Sequence, residues 1–220
     1  MQSLKSLPKP EIILWDMDGT LIDQTAAIIR TYSEVIEAIN GSRPDPHTIR
    51  RSLGGPLAST MALFIDELQI EAASAQFRSR FPEIMFDGLI VLPGALELLE
   101  SASGASIAQA ILTNKHGETA RKISDHVGFS KFISSCIGSK DTDWNKPQSE
   151  LTQYALTKTK ANIEGACIIG DSPTDIETAR NAKIPCYCVT TGAHSAQELK
   201  DSGADAVFDS LLDIKDAFGL

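Results

Sequence analysis

The sequence predicts an α/β protein: a doubly wound parallel sheet covered by helices on both faces, with an all-helical unit inserted near its start. Three observations carry that prediction. Short, continuously apolar and often β-branched runs recur along the chain, as strands buried on both faces require. Stretches of helical period alternate with them at the spacing of βαβ units. From residue 25 to about 86 the alternation stops and helical period continues without a convincing strand.

The first run, EIIL at 11–14, ends in two aspartates and a glycine within WDMDGT. Further strands are expected at 106–112 (SIAQAIL), 132–137 (FISSCI), 166–169 (ACII), 185–190 (PCYCVT) and 205–208 (DAVF). Helices are expected over 95–101, 117–127, 148–158, 174–182, 195–202 and 211–218. The interruption reads TAAIIRTYSEVIEAIN, PLASTMALFIDELQ and EAASAQFRSRFPEIMF, three helical stretches. It begins just after DMDGT and ends near FDGLIVLPG, where Gly88, Pro93 and Gly94 mark the return to the sheet. The expected division is a Rossmann-like core of residues 1–22 and 90–220 and an inserted helical domain of 23–89. Both crossings adjoin sheet elements, a suitable place for a two-stranded hinge.

At 220 residues, 42% hydrophobic and 22% charged, the chain can bury a sizeable core. A formal net charge of −9 argues against nucleic acid or an anionic membrane surface as partner, because both need a basic footprint. An anionic substrate must then be captured locally. The four cysteines, Cys136, Cys167, Cys186 and Cys188, lie in apolar segments and never at C-x-x-C spacing, so buried thiols in a reducing compartment are expected. MQSLKSLPKP lacks the apolar core of a signal peptide, and no run approaches the ~20 residues of a membrane span. A cytoplasmic protein, monomer or homodimer, is the expectation.

Open α/β sheets bind ligands at the carboxyl ends of their strands. The first strand delivers Asp16 and Asp18, and the second ends in Thr113, Asn114 and Lys115. Lys146 precedes the helix that starts after Pro147; a later strand ends in Gly170, Asp171 and Ser172, with Asp175 one helical turn on. Such a cluster is electrostatically consistent if a hard divalent cation gathers the carboxylates and an anion fills the gap to the lysine. Magnesium, which takes a few carboxylate oxygens and keeps several waters, suits it, and manganese or cobalt could occupy similar oxygen sites. A phosphoryl group fits the remaining volume.

DMDGT, the LTN after a strand, the lysine of NKP, and GDSPTD resemble the four ordered motifs of the haloacid dehalogenase superfamily. The likeness covers nearly the whole chain, and the insertion resembles that superfamily's small helical cap. The resemblance implies that Asp16 is the nucleophile forming an aspartyl-phosphate and Asp18 the general acid and base. It implies a magnesium ion on Asp16, the Asp18 carbonyl and Asp171, with Asp175 behind. Thr113 and the Asn114 amide would bind phosphoryl oxygens and Lys146 would neutralise the transferring group. Gly19, Thr20, Asn114 and Lys115 are candidates for substrate binding, as are Arg51, Gly54 and Gly55 in the cap. The cap and TNK motif are most similar to the phosphoglycolate phosphatase branch, implying a magnesium-dependent phosphatase acting on a small phosphorylated metabolite such as phosphoglycolate.

Blander readings stand beside these. Thr113 and Asn114 could cap the following helix, Lys146 could be a solvated loop residue, and Asp175 could simply sit in a helix's first turn. Arg78 and Arg80 are read as a solvated helix face, the four histidines as surface or helix-end residues with His116 near the site mouth, and Trp15 as core. Trp144 is a candidate for the entrance. Pyrophosphate and nucleotide phosphatases share all four motifs and remain alternatives. A β-phosphoglucomutase-like enzyme commonly has an apolar residue in place of Thr20, and phosphonoacetaldehyde hydrolase would want a cap lysine, absent from 25–86. A receiver domain would be nearer half this length, and a non-catalytic phosphate-binding protein is the reading from a different class.

Overall fold

The computed structural model describes residues 6–220. The reading of MQSLKSLPKP falls partly on residues 1–5, outside the described residues. Six parallel strands form one sheet: β1 (Ile12–Trp15), β4 (Ala108–His116), β5 (Ser135–Ser139), β6 (Ala166–Gly170), β7 (Cys186–Val189) and β8 (Ala206–Phe208), in the order β5-β4-β1-β6-β7-β8. The chain winds outward on one side of β1 and then on the other, so the strand order reverses between β1 and β6. A crevice opens at such a reversal.

Alternation along each strand builds two core layers. Ile13, Trp15, Ile111, Cys167, Ile169, Tyr187 and Val189 face α5 (Ala95–Gly104), α6 (Gly117–His126) and α10 (Leu211–Phe218). Ile12, Leu14, Ala110, Leu112, Ile168, Cys186 and Cys188 face α7 (Ser149–Thr159), α8 (Pro173–Ala182) and α9 (Ala196–Ser202). Trp15 is core as expected, its Nε1 donating to Gln109 Oε1 at 3.1 Å. Cys186 and Cys188 share a face with sulfurs 3.8 Å apart, and no cysteine is in a disulfide among the described residues. Ser195 and Ser210 open α9 and α10 with capping boxes to Glu198 and Asp213, which fixes those starts at the residues the sequence marks.

Between DMDGT and the return to the sheet lie α1 (Thr25–Asn40), α2 (Pro46–Arg51), α3 (Leu57–Met61) and α4 (Ile70–Ile84). Two-residue strands β2 (Ile22–Asp23) and β3 (Ile90–Val91) pair antiparallel where the chain leaves and re-enters. α1 packs on α4 and α2, and α3 on α4.

Three expectations differ from what is observed. The stretch 56–69 is not one helix: it folds as α3, a turn and a 3-10 turn at Glu67–Gln69. The Asp45 carboxylate caps Pro46–Arg51, a helix absent from the periodicity reading. The strand expected at 132–137 starts only at Ser135 because a 3-10 turn at Phe129–Lys131 carries the chain to Phe132. Among the described residues no helix is long and apolar enough to cross a membrane.

Candidate active site

Four carboxyl-terminal strand ends meet where the order reverses. Asp16, directly after β1, is buried, and its Oδ1 accepts from Lys146 Nζ at 2.6 Å. The same ammonium donates to Asp175 Oδ1 at 2.6 Å. Asp175 is fixed from the other side, because its Oδ2 accepts from Ser172 Oγ at 2.6 Å and Ser172 N at 3.1 Å as α8 begins. One carboxylate thus both caps a helix and anchors a buried lysine, so the helix-start reading of Asp175 holds together with an ion pair it did not include. Lys146 is 1% exposed, which rules out a solvated loop role.

Asp171, after β6, completes the group. One carboxylate oxygen from each of Asp16, Asp171 and Asp175 lies within 4.8 Å of the others, all three buried. Thr20 Oγ1 donates to Asp171 Oδ1 at 3.1 Å. Gly19 has φ +84°, and a Cβ there would lie 2.5 Å from Asp171 Oδ2; only glycine permits both. Thr191, which no motif pointed to, holds this turn through its Oγ1 and the Gly19 carbonyl at 2.6 Å.

Burial pushes the Asp16 carboxyl up, to about 7; Lys146 pulls it down, while Asp175 and Asp18 push it further up. Burial, then Asp16 and Asp175, hold Asp171 well above the ordinary carboxylate range. Lys146 is opposed by burial, but its two carboxylate partners outweigh that and keep it charged. One ammonium thus contacts two of three buried carboxylates, and the donor set is all oxygen. That set fits a hard divalent cation.

Asp16 and Asp18 border a cavity of about 110 Å³, together with Thr113, Asn114, Lys115 and His116 from β4. Lys115 Nζ is 3.0 Å from Asp18 Oδ2 and 4.7 Å from the Phe81 ring centroid, while Asp18 Oδ1 is buried without a partner. Thr113 Oγ1 accepts from Lys115 N at 3.2 Å, leaving its own hydrogen to donate elsewhere. Asn114 accepts from Lys146 N at 2.9 Å and donates to the carbonyls of Lys146 (3.2 Å) and Gly54 (3.0 Å). Gly54 and Gly55, between α2 and α3, thereby reach the cavity.

Arg51 is not brought there. Its guanidinium turns to the Ala193 carbonyl and the Glu198 carboxylate, because α2 lies beside the start of α9. Conversely Arg78, expected on a solvated face, borders the cavity with Tyr32, Phe77 and Phe81. Phe77 and Phe81, four apart on α4, share a helix face, and nothing local in the sequence says which neighbour that face meets. Trp144 lies 6.5 Å from the Tyr154 ring and away from the cavity.

The haloacid dehalogenase-like hydrolase family model matches residues 13–189, spanning the first, second and fourth strand-end clusters and the lysine between them. The chain belongs to this family. A phosphoglycolate phosphatase of Rhodospirillum rubrum is 25% identical, the match covering 96% of this chain and 91% of that one. A 5'-nucleotidase of Pseudomonas aeruginosa is 28% identical over 86% of each chain. The solved structure of a haloacid dehalogenase-like family hydrolase of Streptococcus pneumoniae superposes with a TM-score of 0.83 at 27% identity, covering 94% of this chain and 97% of that one. This haloacid dehalogenase-like hydrolase is therefore similar along its length to enzymes named for different phosphate compounds.

Proposed function

We propose that this hydrolase is a magnesium-dependent phosphatase that cleaves a small phosphate monoester through an aspartyl-phosphate on Asp16. The observation supporting it is Lys146 Nζ at 2.6 Å from both Asp16 and Asp175, beside a cavity that also holds Asp18. An Asp16 carboxylate oxygen attacks phosphorus, the ester P–O bond breaks, and Asp18 gives a proton to the departing alcohol oxygen. Water then attacks the same phosphorus, Asp18 takes its proton, and the bond to Asp16 breaks. Ester and water become alcohol and inorganic phosphate, with both aspartates restored.

Asp18 Oδ1, buried and unpartnered, is the oxygen suited to carry that proton, while Lys115 holds Oδ2. The Thr113 hydroxyl and the Asn114 amide would receive the phosphoryl oxygens, and Lys146 would offset their charge. Asp16, Asp171 and the Asp18 carbonyl would hold the magnesium ion, with Asp175 behind them. The ion would supply positive charge for the carboxylates and the phosphoryl group. The helical segment 23–89 is read as a cap that excludes bulk water over the leaving group. Its tie at Gly54 to Asn114 supports that reading.

Phosphoglycolate is the ester the resemblance implied, and it is the named substrate of the R. rubrum relative. The P. aeruginosa relative is named for nucleotides. Phosphate release from a panel of esters, by wild type and Asp16→Asn with and without magnesium, tests the proposal. Metal-dependent release lost in Asp16→Asn is expected. Release that survives in Asp16→Asn would overturn the nucleophile; no release from any ester would move the reading to a mutase or a non-catalytic phosphate-binding protein.

A further inference from the structure

The cavity has two unlike walls. On the sheet side stand the groups that would hold a phosphoryl group, and on the helical side stand Ile28, Tyr32, Leu53, Leu57, Phe77 and Phe81. The rings form a short ladder: Tyr32 and Phe77 lie 4.6 Å apart at 47°, and Phe77 and Phe81 lie 5.5 Å apart and nearly parallel at 13°. Tyr32 and Phe81 are buried and Phe77, the middle ring, is half-buried; its faces meet Tyr32 and Phe81, so what it leaves open to a neighbour is its edge.

The cations on these walls already have partners. Lys115 is held by Asp18 at 3.0 Å, and Arg78 lies 3.0 Å from Glu71. A leaving group bearing its own carboxylate or second phosphoryl would be buried against hydrocarbon and would have to take Arg78 from Glu71. A charge left unpaired in that setting costs more than an apolar body of equal size, although drawing Arg78 from the exposed Glu71 gives up little. A flat ring would instead meet the open edge of Phe77, in the edge-to-face geometry aromatic pairs also adopt.

Resting on the phosphatase reading, we propose that the ester's alcohol is uncharged and carries a flat unsaturated ring that packs against the open edge of Phe77, with the phosphoryl group at Asp16. Glycolate is then the wrong kind of leaving group. Specificity is set by α1, α4 and the Leu53–Leu57 loop rather than by Arg51.

The test compares kcat/KM with magnesium for benzyl phosphate and uridine monophosphate against ethyl phosphate, phosphoglycolate and pyrophosphate. Wild type, Phe77→Ala, Phe77→Leu and Arg78→Gln are used, each first shown by thermal melting to be folded. Ring esters are expected to lead ethyl phosphate and phosphoglycolate by about tenfold or more, from edge-to-face contact plus apolar burial. Phe77→Leu, which keeps apolar volume, is expected to remove about three- to tenfold of the ring preference while ethyl phosphate changes by less than about twofold. If Phe77→Ala fails to fold, Phe77→Leu and the wild-type panel decide the question. Phosphoglycolate leading the panel and falling in Arg78→Gln would overturn the inference and leave the phosphatase reading intact. So would equal losses on every ester in Phe77→Leu. Absence of phosphate release from all five compounds would overturn both.

Discussion

Lys146 shows how much one side chain can carry. Its ammonium is enclosed with carboxylates of Asp16 and Asp175, and removing it leaves buried charges without compensation. Breaking a buried pair from one side costs about 3–5 kcal/mol. Lys146→Met should therefore lower unfolding stability by about that much in urea and reduce phosphate release by at least about a hundredfold. Asp16→Asn should do the opposite to stability. It removes one of three crowded carboxylates, so the folded state should be as stable as wild type or more so, while turnover is lost. Equal destabilisation by both variants would show that the cluster is held by packing rather than by charge. Gln109 offers a contrast away from the chemistry. It accepts from Trp15 Nε1 and donates to the Leu99 carbonyl at 2.9 Å, entirely inside the core. Gln109→Leu strands both partners and should cost about 2 kcal/mol by denaturation, with activity per folded molecule unchanged.

At the scale of elements, two hydrogen-bonded ties from the helical segment to the core each give a prediction. Gly54 has φ +99°, and a Cβ there would lie 2.8 Å from Ser172 Oγ. Gly54→Ala should lift the loop from Asn114, costing about 1–2 kcal/mol in backbone conformation alone and raising KM more than it lowers kcat. The second tie is Arg51 to Glu198. Arg51 holds the Glu198 carboxyl down, to about 2, with help from Ser195; His194 is the neighbouring titratable group. A depressed acid contributes stability above its unfolded value and loses it as pH falls through its folded value. The melting difference between wild type and Glu198→Gln should be constant above about pH 5 and should shrink between the ordinary glutamate range and about pH 2. A difference that persists at pH 2 would exclude the ion pair as its source. These ties mark where sequence reading stopped. Strand-end residues such as Asp171 and Thr113 were legible because a parallel sheet sends every strand's end to one edge. The partner of Arg51 and the neighbour of Phe77 depend on how α2 and α4 seat on distant elements, which periodicity does not encode. The β2–β3 pair was too short for any pattern of alternation to register.

For the molecule as a whole, the order β5-β4-β1-β6-β7-β8 concentrates acid at one point of a chain of net charge −9. Folding must bring Asp16, Asp171 and Asp175 together, and Lys146 is in direct contact with the first and last of them. A divalent cation that binds the folded state and not the unfolded chain should therefore raise stability by mass action, about 2.7 kcal/mol at a hundredfold excess over Kd. For a chain of this size that is a rise of roughly 5–11 °C in melting temperature. Magnesium titrated into chelator-treated protein should show that rise, and Asp171→Asn should lose most of it because an anionic oxygen donor becomes a neutral amide. Since melting is read without substrate, the result does not depend on which ester the enzyme cleaves. Sodium chloride at matched ionic strength should give little of the shift, because screening acts weakly on buried charges. An equal shift with sodium chloride would mean that the acidic cluster responds to general screening and not to a bound ion.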